Sequence, residues 1–123
     1  MTYPNTYDID AVNDIFAHGG RKSVPTEGYV LADSVTDPVE KGTPLKRGAT
    51  AKELLPVSAD ADVTFAIAAA YVDPAKGIAI PAHEEGEFNA NQIAKVLPEG
   101  TTIEGLALTA ARGIYFRDVI KAV

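Results

Sequence analysis

The chain has 123 residues, a formal net charge of -6 at pH 7 and no cysteine. Its length suits one compact domain, and the missing cysteines exclude disulfides, thiolate metal sites and cysteine nucleophiles. The eleven lysines and arginines form no basic cluster, so the sequence argues against a nucleic-acid partner. No apolar run approaches membrane-spanning length, and the first residues lack the basic and apolar regions of a signal peptide. We therefore expect a protein that is made in an aqueous compartment and has no membrane partner.

Residues 1–27 differ from the rest of the chain because their large apolar side chains are spread among Asn, Asp and Thr. These side chains belong to Tyr3, Tyr7, Ile9, Val12, Ile15 and Phe16. The stretch from Asp10 to Ala17 has helical spacing, but one or two helical turns are marginal in water unless they dock. Aromatic residues in a polar arm would be exposed unless a partner covered them. The sequence therefore predicts an extended N-terminal arm that becomes ordered on a partner.

From Gly28 onwards the pattern is typical of short strands separated by turns. Strand-like pieces lie at residues 29–32, 39–48 and 52–57, and the prolines among them suggest edge positions. A polar, acidic link then leads into the apolar run from Phe65 to Val72. The turn at residues 73–77 and the short run from Ile78 to Pro81 complete a predicted hairpin.

Two short helices are predicted near the C-terminus. Asn89 can cap the first helix, and Pro98 stops it. The second helix has a capping-box pattern, Thr101-x-x-Glu104. Its apolar residues recur at i, i+3, i+4, i+7 and i+8, and Gly113 follows as a stop before a last strand that ends at Arg117.

These elements predict an α+β fold that is rich in β structure. Its body is a small mixed arrangement of short strands with the two short C-terminal helices, and the extended N-terminal arm precedes it. The residues expected in the body core or in a trimer interface are Phe65, Ile67, Phe88, Leu106, Ile114 and Phe116. Small aliphatic residues supply much of the apolar content, so the core is thin, which favours association with partner subunits.

The sequence contains little that could carry chemistry. His83, Glu84 and Glu85 are the only adjoining imidazole and carboxylates, and we interpret them as a solvated hairpin tip rather than a general base or metal site. Asp60 and Asp62 lack the spacing of a calcium loop and predict a solvated acidic loop. The glycines and the Lys-Ser pair at residues 19–23 do not fit the spacing of a phosphate-binding loop, and no serine lies near a histidine in sequence. We expect no catalytic residue, metal, cofactor or small-molecule substrate.

The order of elements after residue 64 resembles that of bacteriophage head decoration proteins of the lambda type. It comprises the apolar strand Phe65–Val72 followed by Asp73, a hairpin, the Gly86-Glu87-Phe88 segment, two short helices and the closing strand 113–117. The resemblance implies a structural virion protein, not an enzyme, that is made in the host cytoplasm and binds as homotrimers at local three-fold positions on the outer surface of the expanded capsid. It also implies that residues 1–27 form an arm that becomes ordered on the major capsid protein, and that residues 28–123 form a trimerising body.

Two alternatives stay open at this stage. One is a head-fibre base or another trimeric virion component, which would share the β-rich body but occupy a different place on the particle. The other is a small hydrolase or ligand-binding domain that uses the loop of His83, Glu84 and Glu85.

Overall fold

The structure is a computed structural model that describes residues 14–117. It is strand-rich with two short helices, as the sequence predicts. In chain order the elements are β1 (Thr26–Leu31), β2 (Pro44–Arg47), β3 (Glu53–Pro56), β4 (Ala66–Ala68), β5 (Ala79–His83), β6 (Gly86–Asn89), α1 (Ala90–Ala94), α2 (Ile103–Thr109) and β7 (Ile114–Arg117). No helix in this part of the chain is long and apolar enough to cross a bilayer.

The first five strands form a small closed barrel. Their order is β1-β3-β2-β4-β5, and β5 pairs with β1 to close it. β1 and β3 are parallel, whereas the other neighbours are antiparallel. The interior is filled by aliphatic side chains, several of them alanines: Leu31, Val39, Leu45, Leu54, Ala66, Ala68, Ile80 and Ala82. Because a barrel of few strands has a narrow interior, small side chains suit it.

Closure corrects the expectation that the prolines mark edge strands, since a closed barrel has no edge. Pro44 is the first residue of β2 and pairs with Ile67, while Pro56 is the last residue of β3 and pairs with Leu45. The carbonyl of Pro44 still accepts a hydrogen bond from the amide of Val57 at 3.1 Å. Proline is tolerated here because strand ends can spare an amide donor.

The remaining elements form a second layer beside the barrel. β6 and β7 pair in parallel, with Phe88 opposite Phe116 and Asn89 opposite Arg117. The core of this layer contains Ile15, Phe16, Ile67, Phe88, Ile93 and Ile114. β4 joins the two cores because successive strand residues point to opposite faces: its two alanines face the barrel interior and Ile67 faces the second layer.

The hairpin is confirmed, although its strands differ in length from the prediction. β4 contains three residues instead of the eight expected, and it pairs with β5 through Ile67 opposite His83 and Ala68 opposite Ala82. After β4 the chain turns toward the loop that precedes β2, where Val72 forms an isolated bridge with Val39. β5 continues to His83, two residues beyond the predicted end.

Both helices are confirmed, and one cap is displaced. The Asn89 side chain accepts from the amide of Asn91 at 3.0 Å, as expected of a cap. At α2 the cap is Thr102, whose hydroxyl accepts from the Gly105 amide at 3.0 Å. The predicted cap, Thr101, instead donates its hydroxyl to the Pro98 carbonyl at 2.6 Å. α2 ends at Thr109, before the predicted stop at Gly113, because Ala110 leaves the helical conformation.

Candidate functional site

Residues 14–23, here called the docking segment, lie along the outer edge of β6. Phe16 forms an antiparallel bridge with Phe88. The Ala17 amide donates to the Glu87 carbonyl at 2.8 Å, the Glu87 amide donates to the Arg21 carbonyl at 2.8 Å, and the Asn89 amide donates to the Ile15 carbonyl at 2.7 Å. The segment therefore acts as an additional strand on the second layer.

This placement corrects part of the predicted arm. Ile15 and Phe16 were predicted to belong to an arm that becomes ordered on the capsid protein, but both are buried in the body. The Phe16 ring stacks on Phe88 with centroids 5.0 Å apart and meets the edge of His83 at 4.7 Å. Ile15 and Phe16 belong to the core of the second layer. Together with Ala17 they form three successive apolar residues, and removing their side chains from water is favourable. The other predicted arm residues, Tyr3, Tyr7, Ile9 and Val12, lie outside the described residues.

Gly86 explains why Phe16 fits against β6. Its φ is +143°, and a Cβ atom there would lie 2.7 Å from Cε1 of Phe16. Only glycine adopts this backbone region readily and leaves room for the ring. The glycine before Glu87 and Phe88 was thus a visible signal of close packing, although the sequence does not say which residue approaches it.

His83 lies where the barrel, the second layer and the docking segment meet. It was expected in a solvated hairpin tip, but it is only 6% exposed. Its Nδ1 lies 3.1 Å from Oγ of Ser23, and that hydroxyl also lies 2.6 Å from the carbonyl oxygen of Glu85. The expectation was wrong because β5 extends to residue 83 and the docking segment covers its end. Burial, followed by the positive charge of Lys41, lowers the pKa of the His83 imidazole.

The contact between Ser23 and His83 was not foreseen, since 60 residues separate them in sequence. It brings together a hydroxyl and an imidazole, the pair used in nucleophilic catalysis. A carbonyl can only accept, so the Ser23 hydroxyl donates to Glu85 and its oxygen accepts from Nδ1 of His83. In this arrangement the imidazole is the donor and does not act as the base for Ser23.

The neighbouring carboxylates of Glu84 and Glu85 each contact another side chain. Glu84 Oε2 accepts from the Tyr29 hydroxyl at 2.8 Å, and burial together with this contact raises the pKa of Tyr29. Glu85 Oε1 lies 3.8 Å from Nη1 of Arg21. Neither of these contacts joins a carboxylate to the His83 imidazole, whereas general acid–base chemistry requires such groups to converge in one site.

The acidic loop is more ordered than its sequence suggested. Asp62 Oδ2 accepts from Nζ of Lys46 at 2.9 Å, from the Ser58 amide at 2.8 Å and from the Ala59 amide at 3.1 Å. The hydrogen bond from Ser58, followed by that from Lys46, lowers the pKa of Asp62 to about 2. Asp60 Oδ1 accepts from the Thr102 amide at 2.7 Å, so this carboxylate holds the start of α2.

The carboxylate oxygens of Asp60 and Asp62 therefore accept hydrogen bonds from donors within the protein. Within residues 14–117 no group of three or more His, Cys, Asp or Glu side chains is arranged to hold a metal ion. The acidic loop thus joins the barrel to α2.

The residues predicted for the body divide into two groups. Ile67, Phe88, Leu106 and Ile114 are buried. Phe65 and Phe116 are partly buried, at the margins of the barrel core and of the second-layer core respectively. The Phe65 ring lies under the Arg47 guanidinium at 4.6 Å and meets the Tyr29 ring edge at 6.0 Å.

Several large apolar side chains stay exposed on the described surface. They are Val24, Val63, Tyr71, Ile78, Leu108 and Tyr115, and Leu108 on α2 is the most open of them at 88%.

Both ends of the described chain lie at the same end of the second layer. Nδ2 of Asn89 donates to the carbonyl of Asp14 at 3.1 Å. Arg117 pairs directly opposite Asn89 in the parallel register. Residues 1–13 and 118–123 therefore connect to the body at neighbouring points.

No protein-family model matches this chain, and no curated protein or solved structure is significantly similar to it.

Proposed function

We propose that this protein decorates and stabilises the expanded capsid of a tailed bacteriophage, bound as homotrimers at local three-fold positions on its outer surface. The major capsid protein and further copies of the chain are its partners in this proposal. The observation that carries it is the order of elements from β4 to β7. The apolar strand, the hairpin, the Gly86-Glu87-Phe88 strand, the two helices and the closing strand follow one another in the order that the resemblance describes.

The positions of the chain ends support a one-sided contact with a capsid. Residues 1–13 carry the remaining arm residues Tyr3, Tyr7, Ile9 and Val12, and they join the body beside Asn89. An arm that leaves from this point can add its backbone to a sheet edge of a partner without any catalytic group. We therefore place the face around Asn89 and Arg117 toward the shell.

Trimerisation is supported by the exposed apolar residues and by the small size of the core. Leu108 and Val63 are large apolar side chains that the body leaves exposed, and contacts between copies would cover such surface. Three arms on one trimer would multiply a weak contact through effective concentration. Closed three-fold symmetry also matches a three-fold site on a capsid.

The first test is the solution mass of the full chain by light scattering, followed by co-sedimentation with expanded and unexpanded capsids of candidate tailed phages. We expect a trimer that saturates expanded shells and ignores unexpanded ones. Tyr3→Ala with Tyr7→Ala should weaken sedimentation without changing the mass, whereas the matched body variant Tyr71→Ala should not weaken binding to the shell. A protein that stays monomeric and binds no expanded capsid would exclude the proposal.

The proposal of a head-fibre base or another trimeric virion component predicts the same solution mass. Electron microscopy of decorated particles separates the two, because density on every local three-fold position indicates decoration and density at isolated positions indicates a fibre base.

A further inference from the structure

His83 is the one buried imidazole in the described chain, and it touches three parts of the molecule. It is the last residue of β5, its ring meets the Phe16 ring of the docking segment at 4.7 Å, and its centroid lies 6.2 Å from that of Phe88 on β6. The only other histidine, His18, is exposed. A change in the protonation of the His83 imidazole therefore acts directly on the contact between the docking segment and the body.

The hydrogen bonds show which state of the imidazole this contact needs. Ser23 donates its hydroxyl to the Glu85 carbonyl and accepts from Nδ1 of His83. This arrangement already uses the Nδ1 proton of the neutral ring. Protonation would add a proton at Nε2 and a full charge to a ring packed against two phenylalanines, and burying an uncompensated charge is costly.

The groups around His83 do not offset the cost of burying such a charge. Lys41, in the loop before β2, is positive and opposes protonation, whereas a hydrogen bond to the Ser23 backbone and the charge of Asp14 in the docking segment favour it, but the net effect still lowers the pKa of His83. Glu84 is held by Tyr29. Glu87 on β6 pairs with Arg117 at 3.5 Å, and Glu85 pairs with Arg21. Asp14 itself lies 3.4 Å from Lys22. Each nearby carboxylate therefore already faces another partner.

We propose that His83 is a pH-sensitive latch whose protonation releases the docking segment from β6 while the barrel stays folded. The segment is joined to β1 through Val24 and Pro25, and Val24 is exposed, so the connection does not tie the segment to the barrel core. Release exposes Phe16 and the β6 edge, which gives the protein an acid-induced strand-binding edge. This inference does not depend on a role in capsids.

The direction of the effect follows from linkage. The folded state lowers the pKa of His83, so the neutral ring stabilises docking above the pKa of an unfolded imidazole, near 6.5. That stabilisation is lost as the pH falls below 6.5 toward the folded-state pKa. A single proton changes the opening equilibrium by at most about tenfold per pH unit. Between pH 7.5 and 5.5 we expect opening of the docking segment to increase about three- to tenfold.

The test is amide hydrogen exchange on the full chain at pH 7.5 and 5.5, with protection factors corrected for the intrinsic exchange rate. The amides of Ala17, Glu87 and Asn89 report on docking because they bond across the contact, and the Phe65 amide, which donates to Leu45, reports on the barrel. We expect the first three to lose protection in acid while the amide of Phe65 keeps it. No change at the three amides would overturn the proposal, and so would equal loss at the amide of Phe65.

Two variants distinguish His83 from the nearby carboxylates. Asn at this position can donate to Ser23 but does not titrate, so His83→Asn should make docking independent of pH, whereas His18→Asn should behave like the wild type. A pH dependence that persists in His83→Asn would assign the effect to carboxylates and overturn the latch. If His83→Asn does not fold, the wild-type imidazole titration decides. A His83 midpoint that coincides with loss of Ala17 protection supports the latch, and a mismatch overturns it.

Discussion

Replacing Asp62 tests whether the acidic loop stabilises the fold through the charge of one carboxylate. Oδ2 of Asp62 accepts from the Ser58 amide at 2.8 Å and from Nζ of Lys46 at 2.9 Å, and these contacts lower the pKa of Asp62 from 3.8 to about 2. A shift of this size corresponds to at most about 2.4 kcal/mol of stability at neutral pH. Because the side chain is 23% exposed, solvent screening reduces the expected value to about 1–2 kcal/mol.

The change Asp62→Asn removes the charge and keeps the shape. Urea unfolding at pH 7 should show a loss of about 1–2 kcal/mol in the free energy of unfolding. The folded-state pKa is depressed, so the contribution is present above the unfolded pKa near 4 and disappears as the pH falls through about 2. The difference between wild type and variant should therefore shrink steadily from pH 4 to pH 2.

Asp37→Asn is the matched control, because Asp37 is exposed and we expect less than about 0.5 kcal/mol there. Lys46→Met should cost less than Asp62→Asn, since the amide donors of Ser58 and Ala59 remain in place. This account of the loop would be refuted if Asp62→Asn left the free energy of unfolding unchanged at pH 7. It would also be refuted if the loss of stability in the variant were as large at pH 2 as at pH 7.

Three further substitutions test the packing, each by chemical denaturation. Phe16→Ala should lower the free energy of unfolding by about 3–4 kcal/mol because the ring is buried against Phe88. A loss below about 1 kcal/mol would mean that Phe16 is not packed in the core of the body. Gly86→Ala should lower the free energy of unfolding by at least about 2 kcal/mol, because of the positive φ and the close approach of Phe16. The control Gly28→Ala also has a positive φ, but nothing lies within 4 Å of the added Cβ, so the loss should be about 1 kcal/mol. Equal losses in the two variants would contradict the steric argument. The buried Thr64 hydroxyl has no hydrogen-bond partner within residues 14–117, so Thr64→Val should be neutral or stabilising. A loss above about 1 kcal/mol would mean that the hydroxyl is satisfied.

The parts of the fold that the sequence predicted correctly depend on neighbouring residues. The hairpin of β4 and β5 follows from two apolar runs around a turn, and α1 follows from a capping asparagine and an apolar face. The cap of α2 was displaced by one residue because Asp60, 42 residues earlier in the chain, binds Thr102. A local sequence pattern cannot predict a contact between residues that lie so far apart in the chain.

The site around His83 could not be predicted for the same reason. A histidine followed by two glutamates and a glycine has the composition of a solvated loop, and only pairing with the docking segment buries it. The parallel pairs β1–β3 and β6–β7 likewise connect strands that are far apart in sequence. The periodicity of apolar residues predicts which positions are buried, but it does not predict which distant strand packs against them.

The pairing of the docking segment with β6 also constrains the order of events during synthesis. The Asn89 side chain that holds the carbonyl of Asp14 is made 75 residues after it. The docking segment therefore leaves the ribosome well before the strand that receives it, and all five barrel strands are made in between. Chains fold as their elements emerge, and contacts distant in sequence form slowly. The docking segment is thus among the last parts of the described chain to reach its native position, and until then Ile15 and Phe16 are open to chaperones or to other nascent chains.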